Sequence, residues 1–61
     1  MRTQLIENID FTREEYNEKT KGDNGCFSFD EFIDYILTIV KDNNGNLEDA
    51  IFIAEDAFSK I

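Results

Sequence analysis

Cys26 is the one strongly nucleophilic side chain in this 61-residue sequence, and it stands just ahead of the segment Phe27-Ser28-Phe29-Asp30-Glu31. A helix starting there would aim its dipole at the thiol and lower the thiol pKa. Thiol catalysis also needs a base or an orienting group, and the chain has no histidine to serve. The other titratable chemistry is carboxylate, paired at Glu14-Glu15, Asp30-Glu31, Glu48-Asp49 and Glu55-Asp56. Sequence neighbours on a helix point in different directions, and a domain of this size offers no cleft to perturb such a pair together. Cys26 therefore reads as a small apolar filler beside Phe27. No catalytic residue and no cofactor is expected, and the chain is not read as an enzyme.

A different constellation surrounds Phe52. On a helix starting at Leu47, the apolar positions Leu47, Ala50, Ile51, Ala54, Ala57, Phe58 and Ile61 share one face. Phe52 falls almost diametrically opposite, and its neighbours three and four positions away are Glu48, Asp49, Glu55 and Asp56. An aromatic ring inside a charged rim is the arrangement of an interface hot spot. Crowded carboxylates repel by a few tenths of a kcal/mol per helical pair, roughly, and a basic partner relieves that repulsion. Asp30 and Asp34 form a second acidic stripe with Glu31, which extends the field if the two helices are adjacent. The alternatives at Phe52 are chance exposure and burial under another helix or a second copy.

The segment from Tyr16 to Ile36 resembles an EF-hand in one half. The resemblance is carried by Asn24-Gly25-Cys26-Phe27-Ser28-Phe29-Asp30-Glu31-Phe32. Gly25 matches the family's sharp-turn position, Phe27 its short-strand position, and Glu31 the bidentate ligand that closes the loop. The first half departs from the pattern, with Thr20 at the opening ligand position and Gly22 at the third. The resemblance thus implies Asn24 and Glu31 as calcium ligands, with Ser28 assisting through water, in a loop short of the charged oxygens that calcium wants. The competing reading is a plain helix-loop-helix turn in which Glu31 serves its own helix cap.

Composition sets the company the chain can keep. Six Lys and Arg against 14 Asp and Glu give a net charge of −8. Residues 1–21 contribute 4 − 5 = −1 and residues 22–61 contribute 2 − 9 = −7, so the acidic field belongs to the second part. Such a chain is repelled by nucleic acid and anionic membranes and attracted by basic protein surfaces. No apolar run is long enough for a membrane span, and no signal segment opens the chain. One cysteine allows no internal disulfide, which fits a reducing cytoplasm.

The elements that must position these residues announce their starts. Phe11-Thr12-Arg13-Glu14-Glu15-Tyr16 and Phe27-Ser28-Phe29-Asp30-Glu31-Phe32 share one pattern. Each has a hydroxyl cap, a Glu three positions on, and aromatics flanking the cap as a hydrophobic staple. They predict helix starts at Thr12 and Ser28, and Asn46 is a third cap, with Glu48 and Asp49 in the first turn. The helix from Ser28 to Lys41 carries an apolar arc of roughly 200°, wide enough to pack on two neighbours. The amino-terminal part runs either as one helix from Thr3 to Lys19 or as a short helix that breaks near Asp10 and restarts at Thr12. The expected fold is all-α, a small three-helix bundle in a single acidic domain over 1–61.

Six Phe, two Tyr and eight Ile supply core material, but a chain of this length buries only about 60% of its unfolded surface. A tightly bound partner or a homodimer is the expected supplement. Size and composition look like those of the small accessory proteins of tailed bacteriophages, several of which act as inhibitors or decoys of host enzymes. That resemblance implies a host cytoplasm as the place of action. The function expected is an acidic protein-protein interaction module. It docks on a basic surface of a larger protein as an inhibitor or nucleic-acid mimic, without binding nucleic acid or membrane itself. The alternatives are the calcium-responsive module and a structural protein that self-associates through Phe52.

Overall fold

Reciprocal capping boxes at Thr12, Ser28 and Asn46 organise the chain. Thr12 Oγ1 accepts from the Glu15 N–H at 3.1 Å while Glu15 accepts from the Thr12 N–H at 3.0 Å. Ser28 and Glu31 repeat the exchange, as do Asn46 and Asp49. Each satisfies two N–H groups that a helix start leaves without partners. The third box was not apparent from the Asn46 cap alone, because Asp in place of Glu at the third helical position still reaches back.

The computed structural model describes residues 1–22, Gly25 and 27–61. Four helices occur among them: α1 Arg2–Asn8, α2 Arg13–Lys19, α3 Phe29–Asp42 and α4 Leu47–Ser59. The all-α class holds, and the three-helix bundle is corrected to four helices, since the amino-terminal segment breaks. Ile9 adopts an extended conformation (φ −71°, ψ 156°), and helix restarts only after the Thr12 cap. Packing explains the break. A continuous helix would align Leu5, Ile9 and Tyr16 but turn Phe11 about 140° away from that face. Breaking the chain buries Phe11 with them.

α3 is the centre, touching α1, α2 and α4. Its core positions Phe29, Phe32, Ile33, Ile36 and Val40 are buried. The short connection after α3 folds α4 back as an antiparallel hairpin. That connection is a Schellman motif: the Gly45 N–H reaches the Val40 carbonyl at 2.7 Å, and the Asn44 N–H reaches that of Lys41 at 3.2 Å. Asn44 takes the left-handed conformation that the motif needs, with φ 56°. Ala50 and Ala54 are fully buried and let the α4 backbone come close to its neighbours.

One end of the core is aromatic. Phe11, Tyr16, Phe29, Phe32 and Phe58 pack ring against ring, and the Tyr16 hydroxyl donates to the Phe27 carbonyl at 2.7 Å. Phe11 and Tyr16 close the staple expected at Thr12. At the second cap, Phe27 turns its ring toward Tyr35 at 5.6 Å and stays half exposed. Among the described residues, no helix is long and apolar enough to cross a membrane.

Candidate partner-binding face

Burial of Ala50 and Ala54 fixes the rotation of α4, and with it the direction of Phe52. The midpoint of those two alanines lies about 180° from Phe52 on a helical projection. Phe52 is accordingly 72% exposed, the largest exposure of any bulky apolar side chain described.

The four carboxylates around the ring are not equivalent. Glu48 is exposed in the first turn of α4. Asp49 serves its own helix, with Oδ2 accepting from the Asn46 N–H at 3.0 Å. Glu55 leans toward the α1–α2 connection, where Oε2 accepts from the Asp10 N–H at 3.2 Å, and is only partly exposed. Asp56 pairs with Lys60 at 3.0 Å across one turn. Glu48 and Glu55 thus flank Phe52 on one side, and Asp49 and Asp56 on the other.

Asp30 and Asp34 are held elsewhere. Arg13 makes two hydrogen bonds to Asp30, at 3.0 and 3.2 Å, and Arg2 reaches both Asp30 and Asp34. The Arg13 hydrogen bonds, aided by the charges of Arg13 and Arg2, hold the Asp30 carboxyl below the usual carboxylate range. The Arg13 guanidinium is raised in turn, chiefly by its hydrogen bonds to Asp30. Arg13 also lies over the Phe29 ring, 4.8 Å from its centroid. This stripe is therefore a mixed-charge strap joining α1 and α2 to α3. On the α3 projection Asp30 lies about 180° from Ile39, the residue nearest the Phe52 side. The structure does not bring Asp30 and Asp34 together with the α4 carboxylates.

The EF-hand-like ligand set divides in the same way. Glu31 Oε1 accepts from the Ser28 N–H and hydroxyl, completing its own cap. Thr20, at the opening ligand position, donates its hydroxyl to the Tyr16 carbonyl. Asn24 and Cys26 lie outside the described residues, and no cluster of three metal-ligating side chains occurs among those described.

An apolar groove lies beside Phe52. Ile39, Asn43, Asp49, Phe52 and Ile53 line a hollow of about 300 Å³ between α3 and α4. Further along the hairpin, Phe27, Tyr35 and Ile61 line a second hollow of about 240 Å³ with Phe32 at its floor. Tyr35 is 52% exposed and Ile39 and Ile53 are half-buried. Tyr35 and Ile39 lie at the edge of the wide apolar arc of α3, and among the described residues no other helix buries Tyr35. The signal was present in the width of the arc, which exceeds what the neighbouring helices bury.

Another hollow, of about 640 Å³, opens on the opposite flank of α3, with Leu37 and Val40 inside and Arg2 and Lys41 at its rim. Its rim carries the wrong sign of charge for a basic partner. Compared with protein-family models, curated proteins and solved structures, the chain matches none.

Proposed function

We propose that this protein is a small acidic interaction module that docks through α4 on a basic surface of a larger protein. It acts there as an inhibitor or regulator, occupying a surface that would otherwise hold nucleic acid. The observation that carries this reading is Phe52, which is exposed at the centre of four carboxylates on the face of α4 opposite Ala50 and Ala54. Its ring supplies an apolar anchor, and Glu48, Asp49, Glu55 and Asp56 supply charge complementarity. Asp30 and Asp34, already engaged by Arg2 and Arg13, contribute less than the α4 carboxylates. The reading gives the protein no catalytic step and no cofactor.

The test is capture of partners from cytoplasmic extract on the immobilised chain, at low and at physiological salt, beside Phe52→Ser. A basic protein retained by the parent, lost in Phe52→Ser and weakened by salt supports the reading. Retention indifferent to Phe52, or no retained protein, overturns it.

A further inference from the structure

We propose that the groove between α3 and α4, floored by Tyr35, Ile39 and Ile53 and walled by Phe52, receives a cationic amphipathic helix of the partner. This deepens the interaction reading above and rests on it.

Shape selects a helix. The groove runs along two antiparallel helices, and the described residues include no strand whose open backbone edge could pair with an extended peptide. A groove between two helices is filled by the apolar stripe of a third. Along α3, from Phe29 to Asp42, the floor extends about 21 Å at 1.5 Å per residue, the length of a helix of about 14 residues. Two depressions lie along it, one beside Ile39 and Phe52 and one beside Tyr35 and Ile61. An incoming helix fills both with large side chains two to three turns apart.

Charge selects a basic one. On the α3 projection Glu31 and Asp42 fall within about 40° of Tyr35, and on α4 Asp49 and Asp56 fall within about 60° of Ile53. Carboxylates thus edge the apolar floor on both sides. Lys41 points about 120° away from Tyr35, and Lys60, on the groove side, pairs with Asp56, which leaves Glu31, Asp42 and Asp49 as the net charge of the rim. A second copy of the chain would set these carboxylates against their own kind, with −8 on each copy. A helix with lysine or arginine flanking an apolar stripe meets Glu31, Asp42 and Asp49 with the opposite sign.

The experiment uses the whole chain and a synthetic Leu/Lys amphipathic helix of about 18 residues, labelled for fluorescence anisotropy. A scrambled peptide of the same composition and charge but no apolar face is the control. The amphipathic peptide is expected to bind about tenfold or more tighter than the scrambled one, and Tyr35→Ser and Ile39→Ser each to remove about tenfold of that affinity. Tyr35→Lys sets a positive charge at this half-exposed site and should weaken the cationic peptide at least as much as Tyr35→Ser, and thermal melting of each variant reports its fold. Equal binding of both peptides overturns the groove and leaves docking on a basic surface intact. Weak or absent binding of both also overturns the groove, while the interaction reading stands or falls on the Phe52-dependent capture. Sedimentation of the chain as a dimer that Tyr35→Ser dissociates assigns the groove to a second copy and overturns the proposal.

Discussion

The Phe11 ring lies flat on the ring of Phe58, with centroids 4.0 Å apart and planes inclined by 4°. These residues come from the α1–α2 connection and from the end of α4, so the contact joins early and late parts of the chain. Lys19 adds to it from α2: its Nζ lies 4.3 Å from the Phe58 centroid and donates to the Phe58 carbonyl at 2.7 Å. The break in the amino-terminal segment places Phe11 for this contact. Truncation of Phe11, which is buried, removes ring contacts with Tyr16, Phe29, Phe32 and Phe58. Phe11→Ala is expected to cost about 3–4 kcal/mol of folding free energy, against about 1 kcal/mol for Phe11→Leu. Urea unfolding followed by circular dichroism measures both. Equal losses for the two variants would show that ring stacking is not what holds the break.

The Asp30 strap gives a pH dependence whose sign is fixed. Arg13 and Arg2 hold the Asp30 pKa below its unfolded value. The stabilisation is then complete above the unfolded pKa and is lost as pH falls through the lowered one, below about pH 4. Arg13 is shifted upward and stays charged throughout that range, so it adds no slope of its own there. Acidification also relieves the self-repulsion of a chain with a net charge of −8. The informative quantity is therefore the difference between parent and Asp30→Asn. The parent is expected to be the more stable at pH 7, with the gap closing toward pH 2 in urea midpoints. A gap independent of pH contradicts the strap.

At the α3–α4 turn, two adjacent residues are constrained in opposite ways. Asn44 occupies the left-handed region, where a side chain is tolerated at a cost and glycine at none. Gly45 is constrained by space: an added Cβ would stand 2.9 Å from Val40 Cγ1 and 3.0 Å from Asp49 Oδ2. Asn44→Gly should be neutral or slightly stabilising, whereas Gly45→Ala should cost about 1–3 kcal/mol through forced repacking. Thermal melting distinguishes the pair, and matching effects of both would mean that only local backbone freedom matters here.

What could be read from the sequence follows from the range of each interaction. The Thr12 and Ser28 caps involve residues three apart, so the chain order alone exposed them. The central role of α3 followed from its apolar arc, since an arc too wide for one neighbour demands more. The choice between a continuous and a broken first segment depended on Phe58, 47 residues beyond Phe11, and no local rule weighs that contact. The Asp30 partners lie 28 and 17 residues away, so a stripe that looks free in the sequence is spoken for in the fold. Phe52 was legible because α4 is amphipathic around Ala50 and Ala54. The groove beside it needed the hairpin, which brings Ile39 and Ile53 together from separate helices.

The carboxylates of α4 divide into those that serve the helix and those that face outward only, and substitution separates them. Asp49 holds the Asn46 N–H and sits where the helix dipole favours negative charge. Asp49→Ala should therefore destabilise by about 0.5–1 kcal/mol, close to the effect of Asn46→Ala at the same cap. Glu48→Gln removes one charge from a crowded surface and leaves the box intact, so its melting temperature should stay within about a degree of the parent. Phe52→Ser takes away a ring that is mostly in solvent and should change stability by less than about 0.5 kcal/mol. If Phe52 serves binding, affinity for a basic partner falls in Phe52→Ser and Glu48→Gln at unchanged stability. The loss in Asp49→Ala is accompanied by a lower melting point. A Phe52→Ser protein that melts well below the parent would instead assign the ring to the fold, and binding would have to be sought on another face.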